Sequence, residues 1–309
     1  RVADVHFDAA VFTNLSRDHL DFHGDMQRYG AAKASLFERG DVRLRVFNVD
    51  DPFGAQLAAR PAFAGRIACT RRADAMPAGR FVQARDIHYG AEGTRFGLDS
   101  SFGSAEVVTR LLGEFNVDNV LAVLAVLLGS GIPLARAVDA LRSLAPPSGR
   151  LEVIARAGAP LVVVDYAHTP DALEKALQVL RRHCAGRLVA VFGCGGDRDR
   201  GKRSQMGAVA VRLADAVVVT DDNPRTESGD VIVEQILAGC SGGATPVTVQ
   251  RDRRAAIATA IRGARAGDVV LVAGKGHESV QIVGNEQRPF SDQHEARAAL
   301  GVAAQGGAG

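Results

Sequence analysis

The second half of the chain alternates short apolar segments with amphipathic ones, and this alternation constrains the fold more than any other feature of the sequence. Strands that alternate with helices are typical of a parallel sheet covered by helices. We therefore predict an α/β domain with a mostly parallel sheet. Its five predicted strands are Leu161 to Asp165, Leu188 to Phe192, Ala216 to Thr220, Val247 to Val249 and Val269 to Ala273.

Four of these strands end in loops that are polar or rich in glycine. The loops are Tyr166 to Pro170, Gly193 to Arg198, Asp221 to Glu227 and Gly274 to Glu278. Ligands of open α/β sheets bind beyond the carboxyl ends of the strands. Because those ends share one edge of a parallel sheet, the sequence predicts a single binding site formed by these loops.

The loop after Thr220 has the most specific chemistry. Asp222 and Asn223 are suited to an ammonium group, while Arg225 can bind a carboxylate through two parallel hydrogen bonds. Pro224 makes the segment rigid, and the combination fits a zwitterionic amino acid. The alternative is an ordinary surface turn, because Asp-Asn-Pro is a common turn sequence. The other three loops at the same edge favour the binding site.

The first half mixes strands and helices. We predict strands at Ala9 to Thr13 and Leu44 to Val49, antiparallel hairpins over residues 81 to 110, and helices at Met26 to Phe37, Pro52 to Ala59, 115 to 129 and 134 to 143. The Pro146-Pro147-Ser148-Gly149 segment interrupts this pattern. The predicted domains are residues 1–147 and 148–304, and residues 305–309 are expected to form a disordered tail.

Composition excludes several classes of protein. Hydrophobic residues make up 47% and charged residues 23%, as in ordinary globular proteins. The net charge of +2 gives no electrostatic footprint for nucleic acid, so no nucleic-acid partner is expected. The apolar run from Val120 to Leu128 is too short for membrane insertion. Four widely spaced cysteines without a CxxC pair favour a reducing cytoplasm over a disulfide framework or a zinc site.

Two features of the first half are ambiguous on residue chemistry alone. The segment from Thr13 to His23 contains two histidines, one of them His19, and two acids after a predicted strand, which suits either metal or phosphate binding or a polar loop with helix-capping acids. Lys33 lies among alanines on a predicted helix. Such a lysine is either solvated or, if desolvated, a neutral and reactive amine.

Further candidate residues begin a predicted helix and follow a predicted strand. In the segment from Gly113 to Asn119, Asn116 is expected to cap the helix, and Asn119 would face the same side and could reach a ligand. The glycine-rich segment from Gly193 to Gly201 has basic neighbours and is compatible with an anion-binding nest. No G-x-x-x-x-G-K-[S/T] motif occurs in this sequence, so it contains no P-loop.

Taken in chain order, these segments closely resemble the Mur ligases of peptidoglycan synthesis, and within them the members that add meso-diaminopimelate. The match extends over essentially the whole chain. The segments that carry it are Thr13 to Gly24, Tyr29 to Lys33, Gly113 to Asn119, Val162 to Leu177, Val191 to Lys202, Val218 to Glu227, Val272 to Glu278 and Gln281 to Gly284.

The resemblance implies a three-domain enzyme with a UDP-sugar domain, a central ATPase domain and a Rossmann-like C-terminal domain that delivers the amino acid. Residues 1–147 would be the later part of the central domain, and residues 148–304 the C-terminal domain. The UDP-sugar domain and the P-loop would lie upstream of this sequence. We therefore expect these 309 residues to have no ligase turnover by themselves.

The resemblance also implies roles for individual residues. Lys33 would be the carbamylated lysine (N6-carboxylysine), a ligand for Mg²⁺ together with His19. The implied ATP contacts are Asn116, Asn119, Arg150, Asp165 and His168. The implied diaminopimelate contacts are Arg203, Asp222, Asn223, Pro224, Arg225, Gly274 and Glu278.

The implied reaction begins when ATP phosphorylates the D-glutamate γ-carboxylate of UDP-N-acetylmuramoyl-L-alanyl-D-glutamate. The amine of meso-diaminopimelate then attacks the acyl phosphate, which forms an amide and releases phosphate. A lysine-adding relative and a folylpolyglutamate synthetase are alternatives, but Arg225 argues against both. A non-catalytic fragment that only binds the amino acid is a third alternative.

Overall fold

The computed structural model describes residues 5–15, 23–63, 65–72, 74, 79–90 and 93–302. The chain forms two compact units, of which the first comprises residues 1–88 and 94–144 and the second residues 89–93 and 145–309. This division lies between Leu144 and Ala145, three residues before the boundary proposed from the sequence.

The first unit is built on a six-stranded sheet in the order β1-β2-β3-β4-β5-β6. Strands β1 to β4 pair in parallel, whereas β5 and β6 are antiparallel. The strands are β1 (Ala9–Phe12), β2 (Leu44–Asn48), β3 (Ile67–Thr70), β4 (Arg80–Gly90), β5 (Gly93–Ser100) and β6 (Ala105–Thr109). Of the predicted antiparallel hairpins, the pairing of β5 with β6 is confirmed. Strand β4 is the neighbour of β5 in the sheet and also pairs in parallel with β3, a strand that we did not predict.

The helices of the first unit are α1 (Met26–Phe37), α2 (Pro52–Ala58), α3 (Glu114–Gly129) and α4 (Leu134–Leu141). The predicted helices are confirmed, exactly for α1 and within two residues for the others. Helix α1 starts where the Asp25 side chain accepts a hydrogen bond from the backbone N–H of Arg28. Its last residue, Phe37, packs in an aromatic cluster with Phe12 and Phe47, which fixes the helix against the sheet.

The second unit contains the predicted parallel sheet, in the order β11-β10-β9-β12-β8-β7. All five predicted strands are confirmed. They are β8 (Leu161–Asp165), β9 (Leu188–Phe192), β10 (Ala216–Val219), β11 (Val247–Val249) and β12 (Val269–Ala273). An additional strand, β7 (Glu152–Ile154), pairs antiparallel with β8.

Helices cover this sheet, and a hairpin follows it. The helices are α5 (Pro170–His183), α6 (Gly201–Leu213), α7 (Gly229–Cys240), α8 (Arg253–Arg262) and α9 (Asp292–Leu300), and the hairpin is β13 (Val280–Val283) with β14 (Glu286–Pro289). Central strands such as β12 are buried along their whole length, which explains their unbroken apolar sequence. Within the described ranges, no helix has both the length and the apolar character needed to cross a membrane.

Candidate functional site

The loops that follow β8, β9, β10 and β12 begin at the same edge of the second sheet. Ala273, the last residue of β12, is in register with Asp165 of β8 and with Phe192 of β9. Phe192 in turn is in register with Val219, the last residue of β10. The predicted convergence of the four loops is therefore confirmed.

Two glycines allow these loops to approach one another closely. A Cβ atom on Gly193 would lie 2.1 Å from the carbonyl oxygen of Thr220. Gly274 has φ +120°, and a Cβ atom there would lie 2.6 Å from Oδ2 of Asp222. Larger residues would push the loops apart, so glycine at both positions keeps the loop after β10 in contact with its neighbours.

The backbone of Arg225 is bound to strand β13. Its N–H donates to the carbonyl of Ile282 at 3.1 Å, and its own carbonyl accepts from the N–H of Gly284 at 2.7 Å. Arg225 adopts φ +50°, in the left-handed region that a non-glycine residue rarely occupies. Through these two hydrogen bonds Arg225 forms an isolated β-bridge with strand β13, and this bridge fixes the position of the Arg225 backbone.

The guanidinium of Arg225 has one end occupied and one end available. Nη1 donates to the carbonyl of Gly196 at 2.9 Å and, more weakly, to that of Asn223 at 3.5 Å. Among the described residues, no group accepts a hydrogen bond from Nε or Nη2. The half-buried side chain can therefore offer two parallel N–H groups to a carboxylate.

Acidic and amide groups gather beside this arginine around Lys275, whose side chain is fully buried. Nζ of Lys275 donates to Oδ1 of Asn223 at 2.8 Å and to Oε2 of Glu278 at 3.0 Å. It also lies 3.7 Å from Oδ1 of Asp222. The structure thus brings together three predicted substrate contacts, Asp222, Asn223 and Glu278, through a residue that the sequence analysis did not single out.

The two carboxyl groups of this cluster differ in their pKa. Burial raises the pKa of Asp222, although Arg253 and Lys275 oppose this effect. Burial also acts to raise the pKa of Glu278, but hydrogen bonds from Asn223 and Lys275 leave it below its usual value. Glu278 is therefore the carboxylate that is held ionised and able to attract an ammonium group.

Arg203 lies below the site rather than at its surface. Its fully buried guanidinium pairs with both carboxylate oxygens of Glu227, at 3.0 and 2.9 Å, and also contacts Gln235 and the carbonyl of Gly195. The Arg203 hydrogen bonds lower the pKa of Glu227 to about 2. This pair holds the loop after β9 in place, and direct contact between Arg203 and a substrate stays a prediction.

Arg150, Asp165 and His168 lie together at the carboxyl end of β8. Asp165 accepts hydrogen bonds from the N–H groups of Leu151 at 2.8 Å and Ala167 at 2.9 Å, and burial raises its pKa. The Arg150 guanidinium lies 5.0 Å from the centre of the Tyr166 ring, which contacts His168 edge to face at 4.5 Å. The geometry groups these three predicted ATP contacts, whose role stays a prediction.

Asn116 and Asn119 lie on α3 of the first unit. The predicted capping role of Asn116 is wrong, because the helix begins at Glu114 with Gly113 as its cap. Asn116 instead donates to the carbonyl of Leu112 at 2.8 Å. Asn119 donates to Oδ1 of Asn116 at 3.2 Å, so the two amides share a face as predicted, and their contact with ATP stays a prediction.

Lys33 is half-buried on α1, and its Nζ lies 5.0 Å from the centre of the Tyr29 ring. No carboxylate in the described part of the chain forms an ion pair with it. His19 lies outside the described residues, so its predicted metal role stays a prediction. Those residues contain no group of three or more His, Cys, Asp or Glu side chains arranged to hold a metal ion.

Two contributions to the site escaped the sequence analysis. Lys275 lies in a glycine-rich loop of the sequence. The only sequence feature that distinguishes it is its position between two glycines after an apolar strand. Arg253 is fully buried, pairs with both oxygens of Asp292 at 2.8 and 2.7 Å, and donates to the carbonyl of Ala273 at 3.0 Å. This ion pair joins α8 to α9 beneath the end of β12. No local sequence pattern predicts a contact between residues that far apart in the chain.

Comparison with known proteins agrees with this architecture. The Mur ligase middle domain matches residues 1–127, and the glutamate ligase domain of the Mur ligases matches residues 149–276. Together the two domains account for most of the chain.

Individual relatives point the same way. The UDP-N-acetylmuramoyl-L-alanyl-D-glutamate–2,6-diaminopimelate ligase of Xylella fastidiosa (strain 9a5c) is 51% identical over 304 residues, which cover 97% of this chain and 60% of the relative. A solved structure of a ligase with the same name has a TM-score of 0.76 at 40% identity, covering 95% of this chain and 60% of its own.

A more distant structure, the MurF ligase of Thermotoga maritima in complex with ADP, shares the fold with a TM-score of 0.59 at 21% identity, over 87% of this chain and 58% of its own. The chain thus spans about 60% of the length of the curated relatives that it matches. With both domains matched, the parallel sheet confirmed and half of all residues shared with a named member, the chain belongs to the Mur ligase family.

Proposed function

We propose that this chain is the middle and C-terminal part of a ligase that uses ATP to add meso-2,6-diaminopimelate to UDP-N-acetylmuramoyl-L-alanyl-D-glutamate. The names of its relatives support the reaction. The observation that carries the proposal is the position of Arg225, which is fixed by β13 and keeps Nε and Nη2 available beside an acidic cluster.

The cluster and the arginine suit the two kinds of charge on diaminopimelate. Glu278, ionised at neutral pH, and Asp222 can receive an ammonium group. Arg225 can bind the carboxylate at the same end of the molecule. Lysine has the second ammonium but no second carboxylate, so it would leave the half-buried guanidinium without a partner.

The remaining contacts extend the proposal to ATP and Mg²⁺. Asn116, Asn119, Arg150, Asp165 and His168 would contact ATP. The amine of Lys33, which forms no ion pair with a carboxylate of the described residues, fits carbamylation, and its carbamate with His19 would hold Mg²⁺. Bound Mg²⁺ would supply charge stabilisation for phosphoryl transfer.

In the proposed reaction, ATP converts the D-glutamate γ-carboxylate to an acyl phosphate, and an amine of diaminopimelate displaces the phosphate. The residues of the second unit bind and orient the amino acid, so that the amine meets the acyl carbon. No enzyme nucleophile is required. A cytoplasmic location belongs to the same proposal, because Cys69, Cys184, Cys194 and Cys240 are all free.

The test uses the whole protein, meaning this chain together with the UDP-sugar domain and the P-loop that the proposal places upstream of it. Incubation with the UDP-linked dipeptide, ATP, Mg²⁺ and meso-diaminopimelate should give a product whose mass is that of the two substrates joined with loss of water. ADP and phosphate should appear in equal amounts. Omission of ATP or of diaminopimelate should abolish the product, and a whole protein that forms no such product would refute the proposal.

A non-catalytic amino-acid-binding protein is the second candidate, because the groups proposed to bind the amino acid all belong to the second unit and none of their proposed contacts involves ATP. Calorimetric titration with diaminopimelate, combined with a phosphate-release assay on the whole protein, separates the two. Binding without any phosphate release would favour the second candidate.

A further inference from the structure

Lys275 is the least expected residue in this site. A lysine that is 0% exposed is rare unless its charge is paired, because burial of an isolated ammonium is very costly. Here the Nζ group has three partners, Asn223, Glu278 and, at longer range, Asp222. All three partners belong to the proposed amino-acid pocket, whereas Lys275 itself has no exposed surface with which to contact a ligand.

The contacts of Lys275 fix the orientation of the Asn223 amide. Oδ1 of Asn223 accepts from Nζ of Lys275 at 2.8 Å and from the N–H of Ile282 at 2.9 Å. An ammonium group can only donate, so the amide oxygen must point towards Lys275. The amide nitrogen is consequently directed to Oε2 of Glu278, at 2.8 Å.

In the same arrangement the two carboxylate oxygens of Glu278 differ in their contacts. Oε2 accepts from both Asn223 and Lys275, at 2.8 and 3.0 Å. Within the part of the chain that the structure describes, no group donates to Oε1, and the side chain is 31% exposed. One carboxylate oxygen is therefore held from below, while the other remains available at the surface of the pocket.

We propose that Lys275 is a positioning residue for the amino-acid substrate, acting through Asn223 and Glu278 without touching the ligand. Its charge also offsets the mutual repulsion of Asp222 and Glu278, so that both carboxyl groups can occupy one pocket. This inference rests on the proposed function, because it concerns the same pocket.

Substrate KM values in the whole protein test the inference. Lys275→Met removes the charge and the hydrogen bonds but keeps an unbranched side chain. It should raise the KM for meso-diaminopimelate by on the order of tenfold or more, while the KM values for ATP and the UDP-linked dipeptide change by less than about twofold. Lys175→Met is the matched control, because Lys175 is exposed on α5 and, within the described residues, its Nζ pairs only with Asp171, one turn away. It should leave all three KM values unchanged.

A double-mutant cycle with Glu278→Gln distinguishes positioning from general stabilisation. If Lys275 acts through Glu278, Lys275→Met should raise the diaminopimelate KM by less than about twofold in the Glu278→Gln background. Loss of Lys275 leaves Asp222 and Glu278 to repel each other, and removal of the Glu278 charge lowers this repulsion. The double variant therefore serves the test even if Lys275→Met alone does not fold.

Three results would overturn the inference: an unchanged diaminopimelate KM for Lys275→Met, equal rises in KM for all three substrates, or losses that simply add in the double variant. Failure of the proposed function looks different, because the wild-type whole protein would then not join diaminopimelate to the UDP-linked dipeptide at all.

Discussion

Replacement of Arg225 by alanine should weaken the use of meso-diaminopimelate much more than the use of lysine. In the structure Nη1 of Arg225 donates to the carbonyl of Gly196, and no group of the described residues accepts from Nε or Nη2. Only an amino acid with a second carboxylate can use those two groups. The substitution therefore removes an interaction that the proposed binding mode gives to diaminopimelate and not to lysine.

The expected magnitude follows from the hydrogen bonds lost. A hydrogen bond to a charged group contributes roughly 1.5–3 kcal/mol. Since about 1.4 kcal/mol corresponds to a factor of ten, the KM for diaminopimelate should rise on the order of ten- to a hundredfold. The alanine also loses the contact with Gly196 and must hold φ near +50°, and any resulting loosening of the loop should affect both amino acids equally.

The assay is a set of KM titrations in the whole protein with each amino acid. Arg225→Lys keeps the charge but cannot form two parallel hydrogen bonds, so its loss should be intermediate. Arg212→Ala is the control, because Arg212 is exposed on α6 and pairs with Glu174 away from the strand ends. Equal losses for diaminopimelate and lysine would show that Arg225 supports the loop and does not bind the second carboxylate.

Three further substitutions test the proposed role of Lys33 and the ion pairs of Glu227 and Asp292. Lys33→Ala should nearly abolish turnover of the whole protein without lowering its melting temperature, and short carboxylic acids should restore part of the activity; near-normal turnover would make Lys33 an ordinary surface lysine. Glu227→Gln should flatten the acid side of the stability profile measured by urea denaturation. The Glu227 pKa is lowered from 4.5 to about 2, so its ionised form stabilises the fold above pH 4.5, and this contribution is lost as the pH falls towards 2; an unchanged profile would contradict the pairing with Arg203. Asp292→Asn should lower the free energy of unfolding by about 3–5 kcal/mol in the same assay, because it leaves the buried Arg253 without its ion-pair partner; a loss below about 1 kcal/mol would contradict that reasoning.

Sequence patterns predicted the frame of the second unit well, because a sheet buried on both faces requires unbroken apolar strands. The boundaries of β8, β9, β11 and β12 matched the predictions exactly, and β10 differed by one residue. The polar loops were found for the same reason, since polar residues at the end of an apolar strand stand out. The first unit was harder, because β3 is only four residues long and pairs with β4 in parallel.

The interior of the site could not be read from the sequence. Lys275 and Asn223 are 52 positions apart, and Arg253 and Asp292 are 39 apart. Such contacts depend on which strands become neighbours, and β12 lies between β8 and β9 although it follows both in sequence. Periodicity describes faces and ends of elements, whereas these pairs require the order of strands in the sheet.

The loops at the carboxyl edge of the second sheet are proposed to bind meso-diaminopimelate. The most direct test is a titration of the ¹⁵N-labelled chain with meso-diaminopimelate, followed by the chemical shifts of assigned backbone and arginine side-chain N–H groups. Saturable shifts should be concentrated at residues 222–227 and 274–284, with the Arg225 side chain among the most affected, and lysine at the same concentrations should leave the Arg225 signal in place. Saturable shifts centred elsewhere in the chain, or an equal response of Arg225 to lysine, would contradict the account.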